Sequence, residues 1–433
     1  MKYVRTWGRL GMKFDNNTLY NIQSNLIGKR YSLFDLAQWK NGLAFKKINF
    51  SKNGVPVIKI AELNNGISKN TSYTQQIFSN DVHLTKGDLL FSWSGNPQTS
   101  IDIFRFKLEE GWLNQHIFKV TPNENIVDID YFYFLMKNLK PYFTQIATNK
   151  QTTGLGHVTI SDIKRISVII PNITIQKAIV AILKPIDNKI ELNNNINNNI
   201  LEQIKTICAS YLNDFSHFGG TMPSDWVDTP LSNIADFISG YSYKGNELVK
   251  SPIAMATIKN FDRKGGFKLD GYKEILPSNK LKPAQHADLF DILIAHTDLT
   301  QNAEVIGNAE MIMSKSGYSD IVFSMDLVKV LPKPNKLSKF LLIAILQDKK
   351  FKAHCLGYIN GTTVLHLSKK ALPEYSLFLP ANMKILKPLD ETVTVMYKQI
   401  SQHIEENQRL TFLRDTLLPK LISGELNISN INF

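Results

Sequence analysis

Two stretches of this chain carry hydrophobic seams too long to be buried inside one small domain, and they constrain everything between them. Over 179–211 the seam residues are Ile179, Leu183, Ile186, Ile190, Asn193, Asn197, Ile200, Ile204, Ile207 and Tyr211, in alternating steps of four and three. Over 386–417 the same stepping returns at Leu386, Leu389, Val393, Met396, Ile400, His403, Asn407, Leu410, Arg414 and Leu417. This is the heptad spacing that keeps one stripe of a helix facing a partner helix. Each run predicts a helix of about 30 residues, roughly 45 Å long. An antiparallel pair closes if the chain passes through a whole domain between the two runs. Polarity selects a register in which paired residue numbers sum to 600: Asn193 on Asn407, Asn197 on His403, Ile200 on Ile400 and Ile204 on Met396. A slip of one heptad would set those polar groups against Leu410 or Met396, and a buried polar group without a partner is costly. The alternative is that asparagine is simply frequent here, as the NNNINNN run at 193–199 illustrates.

Outside the seams the pattern is that of α/β domains. Short apolar runs at 55–60, 87–92, 117–120 and 166–170 read as strands, with a helix around 131–139. The same order recurs in the second half, and an internal repeat outranks local signals in deciding a fold. GLAFK at 42–46 matches GYSYK at 240–244, and DLLFS at 88–92 matches DILIA at 291–295. His157 and Pro171 match His366 and Pro380 at a common offset of 209 (366−157 and 380−171). ILKPID at 182–187 matches ILKPLD at 385–390 at an offset of 203 (385−182), so six residues have been gained before the first helix or lost before the second. The loops between these framework residues do not match. Two modules built alike but with different loops are two modules that read different things.

Composition narrows the partners. The 433 residues allow two or three domains, and 43% apolar content supports real cores. Fifty basic against 38 acidic residues leave +12, which favours a polyanionic partner, nucleic acid before an anionic membrane. No run of eighteen apolar residues and no signal-peptide pattern occurs, so a cytoplasmic protein without membrane association is expected. Cys208 and Cys355 stand alone, without zinc-ligand spacing. The chain has no phosphate-binding GxxxxGK[ST], no HExxH and no Asn/Asp-Pro-Pro-aromatic methyltransferase motif; Asn96, Pro97 and Gln98 come nearest to the last. Asp187, Asn188 and Lys189 resemble part of a nuclease motif but fall on a heptad helix, where a solvated charged face is the simpler reading.

The order globular domain, heptad helix, globular domain, heptad helix resembles the specificity subunit of type I restriction–modification systems. The C-terminal LRDTLLPKLISGEL at 413–426 is similar to that family's terminal signature. QKAI at 176–179 running to Asn193 is similar to its central conserved helix, and Trp226 with the segment 231–240 to its domain-opening segment. One departure is at the start: no Trp stands five residues ahead of Leu33 as Trp226 does ahead of Leu231. The resemblance implies a mixed α/β fold with two tandem, similar target-recognition domains and two long helices forming an antiparallel coiled coil, pseudo-twofold symmetric. The expected divisions are an N-terminal segment 1–30, domains at 31–171 and 216–380, a central helix at 172–215, and a C-terminal helix and tail at 381–433. It further implies a chain that reads a bipartite double-stranded DNA target without catalysing anything and binds no cofactor itself. Two methyltransferase subunits would bring S-adenosylmethionine, and restriction subunits would bring ATP and Mg. Two other classes are a coiled-coil scaffold or inhibitor that binds no DNA, and an enzyme with an unrecognised active site.

Base edges are read by hydrogen-bonding side chains, while Lys and Arg on phosphates fix position. Candidate reading loops are 93–100 (Ser94, Asn96, Gln98, Thr99), 149–157 (Lys150, Gln151, Thr152, Thr153, His157), 297–302 (Thr297, Thr300, Gln301, Asn302) and 360–366 (Asn360, Thr362, Thr363, His366). The alternative for each is an ordinary polar turn. Phe45 and Tyr243 are candidates to stack or wedge near DNA, against the plainer reading that they pack on their domains. Lys46, Lys47, Lys244, Arg263 and Lys264 are candidate phosphate contacts, or solvated surface.

Overall fold

The computed structural model describes residues 23, 25–151, 154–426 and 428. Most of the expected N-terminal segment, and Thr152 and Thr153, therefore lie outside the described residues. The chain divides into two compact units, one running to Asn188 and resuming at Thr411, the other Lys189–Leu410. The division falls within the long helices, so each unit holds part of both.

Both heptad runs are helical. The first helix is Ile173–Leu212 and the second Lys387–Ile422. In the second unit the polar seam takes the register that polarity selects: Asn193 Nδ2 donates to Asn407 Oδ1 at 2.9 Å, and the Asn197 amide oxygen lies 2.7 Å from His403 Nδ1. Asn193 also donates to Glu406 at 2.7 Å and is 0% exposed. Ile200, Ile204, Leu389, Val393 and Ile400 enter that unit's main apolar core, with Ile207 and Met396 packed against it. In the first unit, Leu183 joins a core that includes Leu418, Leu421 and Ile422, and Arg414 pairs with Asp187 at 2.8 Å. The six-residue offset lies at the start of the first helix. Pro171 and Pro185 are 14 residues apart, whereas Pro380 and Pro388 are 8 apart (185−171 and 388−380), and the first helix begins two residues after Pro171.

Each unit carries the same sheet architecture. In the first, the four-stranded sheet runs Ala37–Asn41, Ile117–Pro122, Leu89–Ser92, Asp102–Arg105; in the second, Ala235–Ser239, Leu327–Pro332, Ile292–Ala295, Ala309–Met311. A second sheet in each contains a parallel pair, Val55–Ile58 with Glu110–Leu113 and Ile253–Ala256 with Asp320–Phe323. The two sheets meet at Gly42 and Gly240. A Cβ on Gly42 would lie 2.1 Å from Asn114 O, and one on Gly240 2.0 Å from Ser324 O, so only glycine fits. Each module opens on a strand paired to its closing strand, Lys29–Ser32 on Ser167–Ile170 and Trp226–Pro230 on Ser376–Pro380. The ladder sets Trp226 opposite Pro380 and Lys29 opposite Ile170, which puts Gly28 in the place of the missing tryptophan. There a side chain would meet Ile170 O at 2.2 Å.

Candidate nucleic-acid interface

In each unit the third strand of the main sheet breaks by one residue and resumes as a short rim strand. Leu89–Ser92 continues past Trp93 into Ser94–Gly95, and Ile292–Ala295 past His296 into Thr297–Asp298. Hydrogen bonds fix both breaks alike. Trp93 N donates to His116 O (3.2 Å) while Val158 N donates to Trp93 O (2.8 Å); His296 N donates to Asp326 O (2.8 Å) while Leu367 N donates to His296 O (2.9 Å). The rim strands then pair with the segments carrying the repeated histidines, Ser94 opposite His157 and Thr297 opposite His366. The rim is thus an extension of rigid sheet, and it presents loops of different sequence.

On the first rim, Ser94 Oγ lies 3.0 Å from His157 Nδ1. Trp93 stacks on Phe118 (5.7 Å between ring centres), lies 5.1 Å from the His116 ring, and donates from Nε1 to Asn41 Oδ1 at 3.1 Å. Burial, and then the nearby His157, push the His116 imidazole below the ordinary histidine value. Asn96 folds the loop on itself, its Oδ1 accepting from Gln98 N (3.0 Å) and Thr99 N (3.3 Å), which leaves the Gln98 and Thr99 side chains exposed. Gln151 is exposed, but Lys150 donates at 2.6 Å to each oxygen of Asp162, a carboxylate that also caps the helix Ile160–Arg165.

The second rim gathers two loops into one surface. Gln301 Nε2 donates to the carbonyls of Thr362 (2.5 Å) and Thr363 (3.2 Å), and Gln301, Asn302, Asn360, Thr362, Thr363 and His366 are all exposed. Thr297 is buried, and the Thr300 hydroxyl donates to Asp298 at 2.8 Å. Burial, then the nearby His366 and Lys369, hold His296 below the ordinary histidine value. Arg263 Nε reaches Glu304 at 3.3 Å, and Gly266 N donates to the buried Glu310 at 2.6 Å, so the turn bearing Arg263 and Lys264 borders this rim.

Phe45 and Tyr243 pack on their domains. Phe45 lies 5.0 Å from Phe78 and 6.3 Å from Phe50, and Tyr243 packs on a cluster containing Tyr241 and Met255, with Lys273 5.9 Å from its ring. Beside them Lys46, Lys47 and Lys244 are exposed. Trp93, His116, His296, Asp298 and Lys352 hold the rims; Trp93 and Asp298 fall inside the candidate loops 93–100 and 297–302 without being contact candidates themselves, and the other three lie outside those loops. Trp93 and His296 stand at one offset of 203 (296−93), immediately after the DLLFS and DILIA match, so alignment of the repeat carried a signal for them.

The model of the type I restriction modification DNA specificity domain matches residues 29–202. The chain is 22% identical over 393 residues to the MjaVIII specificity subunit of Methanocaldococcus jannaschii, covering 87% of each. It is 23% identical to the HindI specificity subunit of Haemophilus influenzae, covering 79% of this chain and 87% of that one. Over most of its length the chain is thus similar to type I specificity subunits, and its first module and most of the first helix match their DNA specificity domain. The fold agrees: the S subunit from M. genitalium superposes over 95% of this chain and 98% of its own with a TM-score of 0.56 at 18% identity. The family's domain model ends within the first long helix, so in this specificity-subunit relative the matched domain comprises the first module and most of that helix.

Proposed function

We propose that this chain is the non-catalytic DNA-specificity subunit of a type I restriction–modification complex. Domains 31–171 and 216–380 would each read one half of a bipartite site. The observation that carries this reading is the rim: the same hydrogen-bonded break and ladder in both modules, presenting unlike loops of Asn, Gln, Thr and His. Such side chains hydrogen-bond base edges, while Lys46, Lys47, Lys244, Arg263 and Lys264 serve phosphates. The helix pair sets the spacer between half-sites, because a paired seam cannot slip by one base-pair step, about 3.4 Å, without losing its packing. Two methyltransferase subunits, carrying S-adenosylmethionine, and restriction subunits, using ATP and Mg, would supply all chemistry.

Methylome mapping of cells with and without the gene tests this reading. A bipartite modified motif that vanishes with the gene is expected, and an unchanged methylome would sink it. Inserting one heptad into both helices should lengthen the spacer and leave both half-site words intact.

A further inference from the structure

The loop joining Thr297–Asp298 to Ala309–Met311 contains no strand or helix, yet six of its backbone groups are held by two side chains of opposite charge. The Asp298 carboxylate, 2% exposed, accepts from Thr300 N (2.8 Å), the Thr300 hydroxyl (2.8 Å), Val305 N (2.9 Å) and Ile306 N (3.4 Å). From the other side, Lys352 Nζ donates to Ala303 O (3.1 Å), Glu304 O (3.3 Å), Ile306 O and Asn308 Oδ1 (2.8 Å). An ammonium has three protons, so four acceptors around it leave no donor free for an outside ligand. Lys352 projects from the helix Lys349–Leu356, which is anchored by buried Phe351 and Cys355. The loop also bears backbone strain that something must hold: Ala303 has φ +51°, a left-handed conformation costing on the order of 1 kcal/mol outside glycine. At Gly307, φ +74°, a side chain would lie 2.6 Å from the Cys355 Cβ.

We propose that Asp298 and Lys352 are positioning residues for sequence recognition, presetting the 298–308 loop so that its tip meets one half-site in a single conformation. The proposal rests on the DNA-reading function above and adds to it how selectivity arises. Asp298 consumes the Thr300 hydroxyl, and the Thr362 and Thr363 carbonyls consume the Gln301 amide protons. What faces outward is therefore the Gln301 amide oxygen, Asn302, and Leu299 at 66% exposure. A tip preset in this way loses little freedom on binding, and a wrong base cannot be accommodated by rearranging it.

The test uses the full chain with its methyltransferase partner and DNA libraries randomised in one half-site at a time. Lys352→Met keeps the aliphatic stem and removes all four donated bonds. The expected result is a loss of roughly tenfold in base discrimination in one half-site only, the scale of a single good base contact. The other half-site and the spacer keep their wild-type preference. Amide exchange should accelerate at residues 300–306 and not in the long helices. Asp298→Asn, which is isosteric, should broaden the same half-site by less and serves if the methionine variant folds poorly. Faster exchange in the loop with both half-site preferences unchanged would overturn the positioning role while leaving the DNA-reading function standing. A wild-type complex with no sequence preference in either half would overturn that function, and this proposal with it.

Discussion

The two modules share a scaffold and differ in how they stiffen what they present. On the first rim a short turn is closed from within by Asn96, and Ser94 meets His157. On the second a longer loop is gripped from outside by Asp298 and Lys352. The contrast extends to one structural position. Asp102 stands opposite Ser92, its carboxylate held by Lys137 at 3.0 Å and Lys140 at 2.6 Å. One step beyond the Ile294–Ala309 pair, Asn308 stands opposite Ala295 and accepts from Lys352. The lesson is that a short loop can satisfy its own backbone, whereas a long one imports charges to do so.

The largest effect should come from breaking the buried charge in the first module alone. Asp102→Ala strands two lysines, and discounting for their partial exposure it should cost about 3 kcal/mol, against about 1 kcal/mol for Asn308→Ala, which loses one hydrogen bond. Urea denaturation with exchange readout on Ile129–Asn138 and Lys339–Leu346 would compare them; equal costs would remove the distinction between the modules.

Glu310, buried in the second module, sharpens the contrast through pH. Desolvation raises its carboxyl to about 7 from an ordinary 4.5, so the folded state holds a proton that the unfolded chain has lost. Its neutral form therefore supports stability below pH 4.5, and that support falls away as the pH rises to about 7. Glu310→Gln should gain about 2 kcal/mol relative to wild type between those limits. Thermal melts at pH 5 and pH 8 with the same difference between the two proteins would count against it.

Within the helix pair, Asn193→Leu should cost about 1–2 kcal/mol by leaving Asn407 and Glu406 short of a partner. Replacing Asn193 and Asn407 together should be milder, and a double-mutant cycle measures the coupling. The smallest effect should be at the first rim. Ser94→Ala removes one partly buried bond to His157, costing about 0.5–1 kcal/mol of stability, and should weaken selectivity in the half-site opposite to the one moved by Lys352→Met.

Much of the framework was legible. The heptad stepping placed both helices, and Asn193, Asn197, His403 and Asn407 set their register because buried amides need specific partners. The repeated glycines and histidines also landed in equivalent places, Gly42 and Gly240 where backbones nearly touch, His157 and His366 on the rim ladders. The parallel pairing of Val55–Ile58 with Glu110–Leu113 was not legible, since nothing local names a distant strand partner. For Phe45 and Lys150 the local sequence leaves both readings open, because it is the same whether a side chain faces a partner or its own fold. The structure turns the one onto Phe78 and the other onto Asp162.

By itself, then, the sequence determined periodicity and duplication: where the two long helices lie, which way they pair, and that two similar modules accompany them. These follow from the 3.5-residue repeat and from matched residues at constant offset, which act along the chain. The helices themselves run to 40 and 36 residues, beyond the seams that announced them. Which polar side chains face outward was decided only by tertiary structure. Lys352 is 46 residues from the Ile306 carbonyl it holds, and no pattern along the chain distinguishes it from the exposed Lys349 and Lys350 beside it. Its role comes from unsatisfied carbonyls that gather only once the sheet, the loop and the helix are packed together.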